Sequence, residues 1–333
     1  MALMHAIQVA DASAVGHARR RATDIARAAG FGDTDLGRVG IVVTEAASNL
    51  VKHAGGGELL VEARRRAGRD PVVAILALDS GPGLQNPAQA MHDGFSSSGT
   101  PGTGLGAIRR QSTIFDLYSA PGQGLAVLAI VGGEASNGKS RFEVGGVNVA
   151  YPGEEISGDA WSVTCSNGHF LAMLADGLGH GIFAAEAARL AQDSFRRHAA
   201  LVPSRILERA HGELRATRGA AAAVVQVDPA GGHVRFAGVG NIAATIVTDG
   251  QVRHLVSHHG TLGHDARTIQ EFTYPWSADS LLVLHSDGLG SRWQLERYPG
   301  LALRHPLLVA GVLYRDFRRS RDDVSVVVAR ESA

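Results

Sequence analysis

Two groups of residues in this sequence have the types and spacing that phosphoryl chemistry needs. In the C-terminal half, four aspartates stand beside a glycine or a second acid at the ends of strand-like apolar runs. They occur in Gly158-Asp159-Ala160, Asp176-Gly177-Leu178-Gly179-His180-Gly181, Ser286-Asp287-Gly288-Leu289 and Asp322-Asp323-Val324-Ser325. Taken singly, an Asp-Gly pair reads as a turn. Four carboxylates drawn together from distant strands repel one another unless cations neutralise them. An oxygen-only ligand set favours Mg²⁺ or Mn²⁺ over zinc. Two such ions about 3.5 to 4 Å apart activate a water for in-line attack on phosphorus.

In the N-terminal half, Glu45, Asn49 and Lys52 recur at i, i+4 and i+7, opposite an apolar stripe of Leu36, Val43, Ala47 and Leu50. The amide oxygen can ligate a hard cation, and the carboxylate can orient or deprotonate an attacking hydroxyl. A solvated helix face has the same spacing, so the later segments decide. Leu78-Asp79-Ser80-Gly81-Pro82-Gly83-Leu84 ends a strand with a carboxylate suited to an adenine amino group. Its glycines let the backbone come close to a base. Gly99-Thr100-Pro101-Gly102-Thr103-Gly104-Leu105-Gly106 runs into a helix whose first N–H groups suit phosphates.

The order of these pieces resembles the GHKL (Bergerat) ATPases, and among them the RsbT-like anti-sigma-factor kinases. Val43 to Ala54 looks like their N-box, Asp79 to Gly83 like their first glycine box, and Gly102 to Gly106 like their second. The resemblance spans about residues 8 to 132. It implies Glu45 as general base, Asn49 as Mg²⁺ ligand and Asp79 as adenine anchor. Lys52, Gly81, Gly83, Gly102, Thr103, Gly104, Leu105 and Gly106 would shape the ATP pocket and hold phosphates. No phosphoacceptor-histidine helix precedes the domain, so the implied acceptor is a Ser or Thr of another protein, in this family a STAS-domain antagonist.

The C-terminal pattern resembles the metal-dependent PPM phosphatases, in particular the RsbX and SpoIIE branch. Gly153 to Trp161 looks like the opening motif and Ala175 to Gly181 like the next box. Gly238 to Ile242 and Gly260 to Gly263 fit the middle; His285 to Leu289 and Arg321 to Ser325 close the pattern. The resemblance implies that Asp176 bridges two Mn²⁺ or Mg²⁺ ions, that the Gly177 carbonyl helps bind one, and that Asp159, Asp287 and Asp322 complete the cluster. Asp323 sits one residue past the matching position. His180 either approaches the leaving group or only packs. Asn241 reads as holding a loop, and Cys165 as a small core residue on a strand.

These residues need a scaffold that positions them. In the first half the pattern predicts helices over Ala14–Ala29, over Asp35–Ala54 with Asp35 as N-cap, and over Gly104–Thr113. Strands are predicted over Glu58–Arg65, Pro71–Asp79, Phe115–Ser119 and Leu125–Val131. A two-layer α/β sandwich fits. The second half reads as eight strands with helices over Gly181–Ala199 and Pro203–Arg218. The implied fold class is therefore α/β (α+β): a Bergerat sandwich followed by a four-layer αββα phosphatase domain. Gly132 to Ser140 is small, polar and Gly-rich, so the expected division is a kinase domain over 1–132, a linker over 133–140 and a phosphatase domain over 141–333.

At 333 residues two domains are the prior. Apolar residues make up 45% and charged residues 19%, as in ordinary globular chains, and Lys plus Arg equals Asp plus Glu at 32 each. That balance argues against broad nucleic-acid or anionic-membrane binding. One cysteine, no leader pattern and no membrane-length apolar run make cytoplasmic localisation the expectation. The sequence thus points to a partner-switching regulator that adds and removes phosphate on a STAS protein and so acts indirectly on a sigma factor or other effector. Kinases of this type often pair, which allows a homodimer. The alternative is a nucleotide-dependent binding protein with one silent half.

Overall fold

A five-stranded antiparallel sheet with helices on one face organises the N-terminal chain. The computed structural model describes residues 3–64, 70–86, 104–133, 140–266 and 268–332. Elements in chain order are β1 (His5–Val9), α1 (Ala12–Ala28), α2 (Asp33–Ala54), β2 (Gly57–Arg64), β3 (Val72–Leu78), α3 (Gly104–Gln111), β4 (Ile114–Ser119) and β5 (Leu125–Gly132). The sheet order is β1-β2-β3-β5-β4. Asp11 caps α1 by accepting from Ser13 N (2.8 Å) and Ala14 N (3.3 Å). The helix α2 starts earlier than predicted: its N-cap is Gly32, and Asp35 lies in its first turn beside Asp33, where both favour the helix dipole. Gly55, at φ 71°, closes it in the left-handed conformation.

Alternation along the strands divides the sheet residues between its two faces. Leu59, Val61, Val73, Ile75, Val127, Ala129 and Val131 form one core with Ala18, Ala22, Val39, Val43 and Ala47 of the helices. Leu60, Leu76, Leu78 and Leu128 point the other way and are buried as well. Their cover includes α6 (Pro306–Phe317): a Cβ on Gly311 would lie 3.0 Å from a Leu76 methyl. Asp116 of β4 receives the start of this helix, accepting from His305 N at 2.7 Å and Arg304 Nη1 at 3.3 Å. Residues 303–315 therefore belong to the same compact unit as residues 2–139; the other unit comprises 140–302 and 316–333. The sequence pattern assigns 303–315 to the C-terminal domain and predicts no helix there. Leu307, Leu308, Val309, Ala310, Val312, Leu313 and Tyr314 are all buried, so α6 lacks the polar face that gives a helix its period.

The second unit carries two antiparallel sheets. Its strands are β6 (Phe142–Val149), β7 (Asp159–Ser166), β8 (His169–Gly177), β9 (Ala220–Asp228), β10 (His233–Val239), β11 (Ala243–Thr248), β12 (Gln251–Leu255), β13 (Phe272–Pro275), β14 (Leu281–His285) and β15 (Val324–Glu331). They assemble as β13-β10-β9-β8-β7 and β12-β11-β14-β15-β6. The helices α4 (Ile182–Arg197) and α5 (Pro203–Glu213) cover the first sheet through Ala187, Ala191, Phe195, Ile206 and Leu207 against Leu171, Met173, Ala222 and Val224. The sheets meet where Phe142 stacks on Phe170 at 4.3 Å between ring centroids. Cys165, expected in the core, is exposed. Among the described residues, no helix is long and apolar enough to cross a membrane.

Candidate active sites

In the N-terminal unit, α2 acts as the rail of one site. Glu45 and Asn49 are half-buried on it, and Lys52 is exposed one turn further on. The start of α3 comes down onto the first two. A Cβ built on Gly104 would stand 3.2 Å from Glu45 Oε2 and 3.2 Å from Asn49 Oδ1. Only a residue without a side chain leaves that space open. Leu105 and Gly106 follow on the same helix, while Gly102 and Thr103 lie outside the described residues.

The last turn of α2 meets the loop after β3. A Cβ on Gly81 would lie 2.7 Å from the Ala54 methyl, and Gly83 has φ 72°. Asp79 is buried, and its Oδ1 accepts from Gly81 N at 2.8 Å and Leu125 N at 3.1 Å. Burial raises its pKa against these hydrogen bonds and the charges of Arg315 and His53. Both backbone donors reach the same oxygen, Oδ1. Arg315 of α6 donates to the Asp79 carbonyl at 2.9 Å and so fixes the same turn from the other side.

In the second unit, Asp159 opens β7 and Asp176 lies near the end of β8, and the two are direct partners in the antiparallel register. Asp287 follows β14, and Asp322 and Asp323 precede β15, which pairs with β14. Burial first, then the charges of Asp159, Asp287, Asp322 and Asp323, push the Asp176 carboxyl up to about 9. Burial likewise pushes Asp159 up to about 7, against a hydrogen bond from Ser286 and with Asp323 and Asp287 adding to the rise. Asp322 is raised by burial and then by Asp287. All four predicted aspartates therefore share one electrostatic neighbourhood, with Gly177 beside it.

The carboxylates do not form a closed cage. Among the described residues, no three His, Cys, Asp or Glu are grouped so as to hold an ion as they stand. Mutual repulsion opposes closer approach until positive charge is supplied. The donor set still fits a hard cation. Asp159 Oδ1 is a buried carboxylate oxygen with no hydrogen-bond partner, a state that native interiors seldom leave uncompensated.

Several residues support the cluster from outside it. Ser286 Oγ donates to Asp159 Oδ2 at 2.7 Å and accepts from Ser325 N at 3.0 Å. Asn148 Nδ2 donates to the Asp159 carbonyl at 3.1 Å. Asn241 Nδ2 donates to Asp287 Oδ2 at 2.7 Å, so its amide orients an acid of the cluster. Asp323 Oδ1 accepts from Tyr151 N at 2.8 Å, tying one loop to the cluster. His180 stacks on Tyr151 at 4.6 Å and sits 3.2 Å from Glu154 Oε1. The signal for Ser286 was its place immediately before Asp287; Asn148 carries none.

Comparison with known proteins follows the same division. Residues 9–129 match the histidine kinase-like ATPase domain. The serine/threonine-protein kinase RsbT of Bacillus subtilis (strain 168) is 35% identical over 113 residues, which cover 34% of this chain and 84% of RsbT. The chain belongs to the RsbT family. Behind its RsbT-like part, residues 166–331 match the SpoIIE family, stage II sporulation protein E. The phosphoserine phosphatase RsbX of the same organism is 24% identical over 138 residues, 41% of this chain and 69% of RsbX. The RsbT homologue therefore carries a PPM phosphatase domain homologous to RsbX. A solved chain from the bacterial stressosome, a modular system adapted to control secondary messenger signaling, superimposes with TM-score 0.54 at 31% identity, covering 57% of this chain and 100% of that one. RsbX in complex with magnesium superimposes with TM-score 0.50 at 20% identity, over 57% of this chain and 96% of that chain, a likeness of fold.

Proposed function

We propose that this chain phosphorylates a Ser or Thr of a STAS-domain protein with ATP and removes phosphate from the same or a related phosphoprotein. The approach of Gly104 to both Glu45 and Asn49 carries the kinase reading, because it joins the second glycine box to the N-box. In this reading Glu45 takes the proton of the acceptor hydroxyl, Asn49 holds Mg²⁺, and Asp79 accepts from the adenine amino group. Gly81 and Gly83 admit the base, and Gly102 to Gly106 with Lys52 hold the phosphates. The kinase domain extends over about 1–132 with α6 packed on its sheet.

For the phosphatase, Asp159, Asp176, Asp287, Asp322 and the Gly177 carbonyl would hold two divalent cations, Mg²⁺ or Mn²⁺. When bound, the cations supply charge neutralisation and an activated water. The chain's own part is to hold those oxygens in place through Ser286, Asn148 and Asn241. The two activities oppose each other on one switch protein, so the partner's state selects between them. We place the protein in the cytoplasm, acting on STAS partners and through them on a sigma factor or another effector.

The test uses γ-labelled ATP and a candidate STAS protein, with Glu45→Ala and Asp176→Ala variants. Glu45→Ala abolishes labelling. Asp176→Ala preserves label that the wild type removes. Labelling by Glu45→Ala at the wild-type rate, or loss of label at the wild-type rate in Asp176→Ala, refutes the corresponding half.

A further inference from the structure

The loops that carry Asp159 and Asp176 also carry an apolar rim. Among the described residues ten large hydrophobic side chains are exposed, and four of them lie here: Ile156, Leu178, Ile182 and Phe183. Ile182 is 63% exposed and Phe183 55%. The two loops are packed side by side. Gly177 N donates to Gly158 O at 3.0 Å, and a Cβ on Gly158 would lie 3.0 Å from the Ala184 methyl. Ile156 precedes Asp159 by three residues, and Leu178 follows Asp176 by two. The next turns of α4 bury Ala184, Ala187, Ala188 and Ala191 in the core, so Ile182 and Phe183 are not needed to attach the helix.

Arg218 joins this rim from the segment between α5 and β9. Its guanidinium lies 4.8 Å from the centroid of the Phe183 ring. A Cβ on Gly179 would stand 3.3 Å from Arg218 Nη1. Among the described residues Arg218 forms no ion pair. A guanidinium placed over an aromatic ring still offers N–H donors in a planar fork that matches phosphate. Aromatic and arginine side chains in such positions are also those that dominate protein–protein contacts.

We propose that Ile156, Leu178, Ile182, Phe183 and Arg218 form the docking rim for a phosphoprotein whose phosphorylated Ser or Thr is flanked by apolar side chains. This rests on the phosphatase reading above. The rim is continuous with the carboxylate cluster, so whatever covers it delivers its phosphate there. A small hydrophilic phosphomonoester would leave the four apolar side chains wet. A protein segment with apolar neighbours covers them, while Arg218 meets the phosphate or the backbone carbonyls beside it.

The experiment compares two synthetic phosphothreonine peptides, one with leucines on both sides of the phosphothreonine and one with serines. p-Nitrophenyl phosphate serves as a reference substrate for the full-length wild type with Mn²⁺. The quantity read is the ratio of kcat/KM for the two peptides. Wild type prefers the leucine-flanked peptide by about tenfold or more, as loss of one or two apolar contacts implies. The Ile182→Ser/Phe183→Ser variant brings the ratio close to unity, and Arg218→Ala raises KM for both peptides. Both apolar positions are exposed, and circular dichroism checks that the variants remain folded. If wild type hydrolyses p-nitrophenyl phosphate yet shows no preference between the peptides, the docking rim is refuted and the phosphatase reading stands. If it hydrolyses none of the three substrates, both fall together.

Discussion

Asn241 donates from Nδ2 to Oδ2 of Asp287 at 2.7 Å, across from the loop before β11 to the loop that follows β14. An acid held by one oxygen presents the other in a fixed direction, and outer hydrogen bonds of this kind tune cation sites strongly. Asn241→Ala is therefore expected to raise the Mn²⁺ concentration needed for p-nitrophenyl phosphate hydrolysis by about tenfold to a hundredfold, with recovery at saturating metal. An unchanged metal titration would remove Asn241 from the machinery.

Gly104 offers a test in which stability and activity part company. Gly104 is the first residue of α3, outside the interior where alanine gains over glycine, so Gly104→Ala should shift the melting temperature little. Its methyl would enter the space between Glu45 and Asn49, 3.2 Å from each. Small displacements of reacting groups are costly, and kinase turnover should drop by about tenfold or more. Full activity in this variant would show that the space is not used by the nucleotide.

Asp79 gives a pH dependence. Burial raises its carboxyl above the ordinary range, and the ionised form is the stronger acceptor for an adenine amino group. ATP affinity should fall as pH drops through that raised value, earlier than an exposed aspartate would dictate. Comparison with Asp79→Asn cancels titration of the nucleotide itself; the variant should bind weakly at neutral pH and show a flatter profile. Parallel profiles in a calorimetric titration would exclude Asp79 as the anchor.

The packing of α6 can be tested directly. Gly311 lies against Leu76 and Leu78, where a Cβ would already be 3.0 Å from the first. Gly311→Val overfills that contact and should destabilise by about 1–3 kcal/mol, seen in urea unfolding. Arg315→Ala leaves the core intact but removes the donor at the Asp79 carbonyl. It should weaken ATP binding more than it lowers stability.

Much of this architecture is legible in the sequence, for reasons that differ by residue. Strands such as Val72–Leu78 and Leu281–His285 are short apolar runs with turn residues at their ends, and the acids that terminate such runs mark themselves. The helix α2 shows because Val43, Ala47 and Leu50 are buried while Glu45 and Asn49 are not. Its start was misjudged because Asp33 and Asp35 are both good first-turn residues and glycine is a quiet cap. Pattern reading fails where the pattern is absent: α6 is apolar on every side, and β1 is a five-residue edge strand. Asn148 carries no signal, Ser286 shows only as the neighbour of Asp287 and Asn241 only as a loop residue, because a polar residue declares its role through the partner that folding brings to it.

The route of the chain through α6 also bears on how the protein is made. Residues 2–139 leave the ribosome with Leu60, Leu76, Leu78 and Leu128 on a sheet face whose covering helix lies in residues 303–315. At about 5–20 residues per second, that surface waits on the order of ten seconds or more for its cover. The nascent N-terminal unit thus completes its fold only after residues 303–315 have been made.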